Sequence, residues 1–239
     1  MPDITSSVIG LAYAIQEGLR PHLGARTSKH VAGKSASGDA EFEIDEVAEG
    51  IVDSDLRNNG VPAAYYSEGR GFVHFGKPEY LLVIDPIDGT RPAMLGLEGG
   101  VVSIAATPYD EDATLGDVTF GCVLELKANR LFTASRGGGV RFAENGTERP
   151  VTLTTNTNLD SLSWSFEVAG RPAARVVGVL APLIDRSSLR GGVFVISSTA
   201  FSLTRMVSGQ FDAVVDVGNR LYRDWPSIHD EFRAAGNGT

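Results

Sequence analysis

The sequence predicts an α/β protein, and three observations lead there. Apolar residues recur at helical spacing near the N-terminus, strand-like runs fill the middle, and the last third mixes both patterns. With 239 residues and 42% hydrophobic content, the chain can build one large domain or two closely packed halves. No internal repeat or long linker separates them.

The elements follow in order. Val8, Leu11, Ile15 and Leu19 recur at three- and four-residue steps, which predicts an amphipathic helix stopped by Pro21. Residues 22–38, with Gly24, Gly33 and Gly38, read as a loop. Ile44, Val47, Ala48, Ile51 and Leu56 mark one face of a second helix, capped by Asp39 and ended by Asn58-Asn59-Gly60. Ala63–Tyr66, Tyr80–Ile84, Val101–Ala106, Val118–Leu126 and Leu131–Ala134 are β-prone runs bounded by turn residues. Beyond Gly137-Gly138-Gly139 the chain changes character. Leu162, Trp164, Phe166 and Val168 alternate as a half-buried strand, and Val176–Ile184 reads as a helix. Val193–Ser197 reads as a strand, Thr199–Val207 as a helix and Phe211–Val217 as another strand. A last helix is expected from Asp224 to Gly236.

Composition excludes several functions. A net charge of −9 speaks against a nucleic-acid binder, which normally carries a basic stripe. Cys122 is the single cysteine, so neither a disulfide framework nor a cysteine metal site is available. His22, His30, His74 and His229 form no HExxH pattern, and no G-x-S-x-G elbow appears. The N-terminus lacks a basic region followed by an apolar core, and no apolar run reaches membrane-spanning length. A soluble cytoplasmic protein with no nucleic-acid or membrane partner is expected.

The most informative segment runs from Tyr80 to Thr90, YLLVIDPIDGT. Its apolar run predicts a buried strand that delivers Asp85 and Asp88, followed at once by Gly89 and Thr90. Residues three apart on an ideal strand face opposite ways, so Pro86 is expected to break the strand and let a turn bring both carboxylates together. Paired carboxylates suit a hard cation, and Mg²⁺ prefers one or two of them plus phosphate oxygens. Gly89 permits close backbone approach. Thr90 opens a short helix with Pro92 in its first turn, and N–H groups at such a start suit phosphate.

This segment resembles the DP-[IL]-DGT signature of the inositol monophosphatase and fructose-1,6-bisphosphatase superfamily. Other pieces agree in order and spacing. Lys34, Asp39 and Asp45 fall at the intervals of the family's upstream Lys and two Asp residues. Tyr66-Ser67-Glu68 resembles its Ser-Glu-Glu element, although the second Glu is Gly69 here. Asp224 matches the Asp that opens the C-terminal helix, and Gly209–Asp216 resembles the family's glycine–Asp strand. The look is closest to archaeal members.

The resemblance implies the layered α-β-α-β-α sugar-phosphatase fold. Residues 1–135 would form an N-terminal α+β half with the metal-binding motifs. Residues 136–239 would form a C-terminal α/β half with substrate residues and the last metal ligand. It further implies that Glu68, Asp85 and the Ile87 carbonyl hold one Mg²⁺, that Asp85, Asp88 and Asp224 hold a second, and that Asp39 stands beside them. Mn²⁺ is the expected substitute. Thr90, oriented by Asp45, would accept a hydrogen bond from the water that attacks phosphorus, without a covalent intermediate. The Gly89 and Thr90 amides would grip phosphate, Asp216 would contact substrate hydroxyls, and Lys34 would assist.

Two departures bear on these expectations. The arginine that relatives carry before a Gly-Ser or Gly-Thr pair is missing from Val193–Thr199, so an altered substrate pocket is expected. The sequence stops at Gly-Asn-Gly-Thr239, where relatives continue into a strand and helix, so either the lineage is shortened or the sequence is truncated. A missing edge strand would leave a sheet edge for a partner subunit to cover, and with the resemblance this makes a homodimer the expectation. The activity implied is Mg²⁺-dependent hydrolysis of a small polyol or sugar phosphate. Fructose-1,6-bisphosphatase, alone or as a dual activity, and a non-catalytic binding protein are the alternatives.

Overall fold

The computed structural model describes residues 4–25, 31–34, 40–110, 112–168 and 173–216. Helix α1 (Ile4–Leu19) is followed by strands β1 (Val31–Lys34) and β2 (Ala40–Phe42), then helix α2 (Glu43–Asn58). Strands β3 (Ala63–Ser67), β4 (Gly71–Val73) and β5 (Tyr80–Asp88) lead to the short helix α3 (Thr90–Met94). Next come β6 (Val101–Pro108), β7 (Phe120–Glu125), β8 (Arg130–Ser135), β9 (Gly139–Glu144) and β10 (Thr147–Arg149). The last third holds β11 (Ser163–Glu167), α4 (Ala173–Ser187), β12 (Gly192–Phe194), α5 (Thr199–Val207) and β13 (Ala213–Asp216).

The main sheet has eight strands in the order β10-β9-β8-β7-β6-β5-β3-β4. Only β3 and β5 pair in parallel; the other neighbours are antiparallel. Helices α1 and α2 cover one face. Val8, Leu11, Ile15 and Leu19, spaced as a helix stripe requires, are each at most 1% exposed and join Ile44, Ala48 and Val52 over Cys122 and Leu124. The second sheet has three parallel strands in the order β12-β11-β13.

Alternation along β11 defines the remaining layers. Trp164 and Phe166 point to α4, where the Trp164 indole donates to Ser187 Oγ at 2.8 Å. Ser165 and Glu167, on the opposite face, meet Ser202 of α5. Helix α5 also bonds the main sheet, through Arg205 and Glu125, on the side away from α1. The order is therefore α1/α2, main sheet, α5, small sheet, α4. This is the layered α-β-α-β-α arrangement the resemblance implied.

Several elements were not legible in the sequence. Strand β1 lies in the stretch read as a loop. Strands β9 and β10 lie beyond Gly137-Gly138-Gly139, so the main sheet continues past residue 135 to Arg149. Their hairpin has a two-residue loop, Asn145-Gly146, with both residues at positive φ (51° and 75°). That Asn-Gly pair was the available signal. Asp39, the cap expected for α2, lies outside the described residues, and the residue before the helix is Phe42.

Candidate active site

The two carboxylates of the DPIDGT segment share one side of the sheet, by a route other than the expected one. Pro86 does not break the strand: β5 runs unbroken from Tyr80 to Asp88. The register on β6 shifts instead, with Asp85 opposite Ser103 and Asp88 opposite Val101. Three steps on β5 thus span two on β6. This extra residue is a β-bulge, and it returns residues three apart to one face. Pro86 costs little here because pairing with β3 ends at Ile84, leaving no partner on that side for an N–H it lacks.

Gly89 then turns the chain with φ 88°, a left-handed conformation. A Cβ there would lie 2.4 Å from the Gly99 carbonyl oxygen and 2.8 Å from Ser198 Cβ, so only glycine fits. Thr90 opens α3 directly after it. Its hydroxyl lies 3.0 Å from Asp45 Oδ1 and 3.1 Å from the Ile87 carbonyl, both acceptors. One hydrogen serves either, which leaves the Thr90 oxygen able to accept from a further donor. Asp45 is held in turn by the Phe42 N–H, which donates to Oδ2 at 2.9 Å at the start of α2. The Thr90–Asp45 pair expected from sequence is in contact.

Acidic groups dominate the surroundings of Asp85. Burial, then the charges of Asp88 and Glu68, and to a lesser extent Asp45, push its carboxyl well above the usual carboxylate range; the Ile87 N–H at 3.1 Å acts the other way. Glu68 follows β3, next to β5 in the sheet. Such a set, all oxygen and mutually repelling, fits a hard divalent cation in kind. Among the described residues no three His, Cys, Asp or Glu side chains are arranged as a ready-made metal cage. Asp39 and Asp224 lie outside the described residues, and Lys34 closes β1 opposite Ala40.

The C-terminal half reaches this cluster through the start of α5. The Ala200 N–H donates to Asp88 Oδ2 at 2.6 Å, and the Ser198 hydroxyl to the same oxygen at 3.0 Å. Between them, Thr199 Oγ1 donates to Asp216 Oδ2 at 2.8 Å. Three consecutive residues therefore connect the DPIDGT acids with the exposed carboxylate expected to read substrate. In the stretch lacking the expected arginine, Val195 is exposed and Ser198 is buried. Arg91 is exposed.

Sequence reasoning missed Glu49, Ser198 and Ala200. Glu49 is buried on α2 and accepts from the Gly69 N–H at 3.2 Å, beneath the turn that carries Glu68. Burial raises its carboxyl above the ordinary range, against hydrogen bonds from Ser67 and Gly69. Asp53 accepts from Tyr65 Oη at 2.6 Å. Asp45, Glu49 and Asp53 stand four residues apart on α2, an acidic stripe that was readable in the sequence. A cavity of about 480 Å³ opens at the C-terminal end of α2, between Arg57, His74, Phe75 and Lys77, and contains none of the predicted site residues.

Comparison with known proteins shows the family and the fold. Over 220 residues the chain is 26% identical to the fructose-1,6-bisphosphatase/inositol-1-monophosphatase of Methanothermobacter thermautotrophicus, covering 89% of this chain and 75% of that protein. It is 26% identical over 201 residues to the Nus factor SuhB of Xylella fastidiosa, covering 84% and 68%. The solved IMPase of Thermotoga maritima matches with a TM-score of 0.68 at 25% identity, over 90% of this chain and 76% of that one. The model of the inositol monophosphatase family spans residues 2–225, and the chain belongs to that family.

Proposed function

We propose that the chain is a Mg²⁺-dependent phosphomonoesterase acting on a small polyol or sugar phosphate. The observation that carries this reading is the Thr90 hydroxyl, 3.0 Å from Asp45 and at the end of the strand that bears Asp85 and Asp88. Mg²⁺ held by Glu68, Asp85, Asp88 and the Ile87 carbonyl, with Asp224, would supply Lewis acidity and neutralise charge on phosphate. The protein's own residues do the rest. Thr90 donates to Asp45 and accepts a hydrogen bond from the attacking water. The Gly89 and Thr90 amides bind phosphate oxygens, and Asp216 contacts substrate hydroxyls. Asp88, gripped by α5, keeps a fixed orientation towards the phosphate.

The name of the Methanothermobacter relative supports testing a dual activity, and the Nus factor name supports a binding role as the competing reading. A phosphate-release panel of inositol phosphates, fructose bisphosphate, glycerol phosphates and 3′-phosphonucleotides separates these. Turnover should require Mg²⁺ or Mn²⁺, vanish in EDTA and fall when Ca²⁺ is in excess, because Ca²⁺ takes longer, more numerous oxygen contacts. Full turnover in EDTA would refute the metal mechanism, and no turnover on any ester would favour the binding reading.

A further inference from the structure

Glu167 has no role in the reading above, yet it is a carboxylate only 2% exposed, between the two sheets. Its Oε1 accepts from Ser165 Oγ at 3.0 Å and Ser202 Oγ at 2.7 Å, and its Oε2 from the Ser197 N–H at 2.8 Å. Ser197 has φ 63°, in the left-handed region. A residue with a Cβ holds that conformation only where its surroundings impose it. The next residue, Ser198, is 1% exposed and caps α5, accepting from the Phe201 N–H at 3.3 Å. Ser198 and Ala200 are the two donors to Asp88 Oδ2. A continuous hydrogen-bonded path thus runs from buried Glu167 on a strand of the small sheet, through the exposed left-handed turn at Ser197 and buried Ser198, to a carboxylate of the main sheet.

We propose that Glu167 is a positioning residue for this site: by holding the Ser197 amide it fixes the turn that aims the Ser198 hydroxyl and the Ala200 N–H at Asp88. Two donors on one oxygen fix the rotation of the Asp88 carboxylate, and such outer contacts orient the groups that do the chemistry. The inference rests on reading Asp88 as part of a phosphatase site. If Glu167 merely satisfied buried serines, its loss would loosen packing in a way that no backbone change at Ser197 repairs. A positioning role predicts repair, because glycine adopts the left-handed conformation without help.

The experiment compares the parent with Glu167→Ala and with Glu167→Ala/Ser197→Gly. The single variant should lose about 10–100-fold in kcat with KM little changed, and bind Mn²⁺ more weakly by a similar factor in electron paramagnetic resonance titration. Amide hydrogen exchange over residues 195–201 should accelerate. The double variant should recover most of the turnover and of the exchange protection at residues 198–201, while the amide at 197, left without its acceptor, stays fast. Parent-like kcat and exchange in a folded Glu167→Ala protein, or a loss that Ser197→Gly leaves unrepaired, would overturn the proposal. Should the alanine variant not fold, Glu167→Gln, which keeps the volume and one acceptor oxygen, is read in the same way. If the parent hydrolyses no phosphate ester, the phosphatase reading falls, and exchange over 198–201 with its repair by glycine decides the positioning role alone.

Discussion

Thr90 and Asp216 illustrate how far a single side chain can be assigned a task. The Thr90 hydroxyl is tied to Asp45 and Ile87 and stands beside the acids rather than among them. Thr90→Ala should therefore cut kcat by about 10²–10⁴-fold, the usual worth of positioned proton acceptance, while Mn²⁺ affinity stays near the parent value. Steady-state kinetics beside a metal titration checks this; near-normal turnover, with Asp45→Asn also mild, would exclude the pair. Asp216 is exposed, at the end of β13, and its partner Thr199 lies next to the donors of Asp88. Asp216→Ala should raise KM for a polyol phosphate more than for an aryl phosphate, since uniform binding is lost away from phosphorus. Equal losses on both esters would remove Asp216 from recognition.

At the level of elements, the connection before β11 depends on one carboxylate. Asp212, just ahead of β13, accepts from Thr154 Oγ1, from Asn156 Nδ2 at 3.0 Å and from the Ser163 N–H at 2.8 Å. Burial opposes its ionisation, but these hydrogen bonds outweigh it and hold the carboxyl below its ordinary range. A depressed carboxyl contributes stability that is present above the unfolded value, about 4, and is lost as pH falls through the folded value. Asp212→Asn should thus melt lower than the parent at pH 6, and the gap should narrow below about pH 4. A gap unchanged down to pH 3 would show that charge at Asp212 plays no part. Other acids titrate equally in both proteins and cancel in the difference.

Across the whole molecule, the two halves are joined by α5, which is anchored at both ends. Its start holds Asp88, and near its end Arg205 donates to Glu125 of β7 while packing over Phe201, 4.4 Å from the ring centre. Both charges are nearly inaccessible; burial pushes Glu125 up and Arg205 down, each towards neutrality, against their mutual attraction. Removing one member leaves the other enclosed without its counter-charge, which typically costs about 3–5 kcal/mol. Glu125→Ala should show a loss of that order in urea unfolding, whereas Glu125→Leu/Arg205→Met should lose much less. Equal losses in the two proteins would mean that the pair itself, rather than the stranded charge, matters. Cys122, on the other face of β7, lies in the main core, and burial pushes its thiol up to about 12.

The sequence by itself determined the kinds of elements, much of the core and the identity of the acids. Helical spacing in Val8–Leu19, alternation in Leu162–Phe166 and the apolar run before Asp85 each record which side of a local segment meets the interior, so a short window suffices to read them. The DPIDGT segment and the pairing of Thr90 with Asp45 were legible because they follow a family pattern of residue types at fixed spacings. Tertiary structure decided how those residues meet. The bulge that turns Asp85 and Asp88 to one face exists only relative to β6, so no pattern within β5 could announce it. Strands β9 and β10 are largely exposed and show little apolar alternation, and only their Asn-Gly turn marked them. The donors to Asp88 come from residues 110 and 112 positions away, and Glu167 acts through a turn whose strain is invisible in the letters Ser-Ser. Local periodicity follows from where each side chain faces, whereas partners across layers follow from which surfaces pack, and that is settled only once the chain has folded.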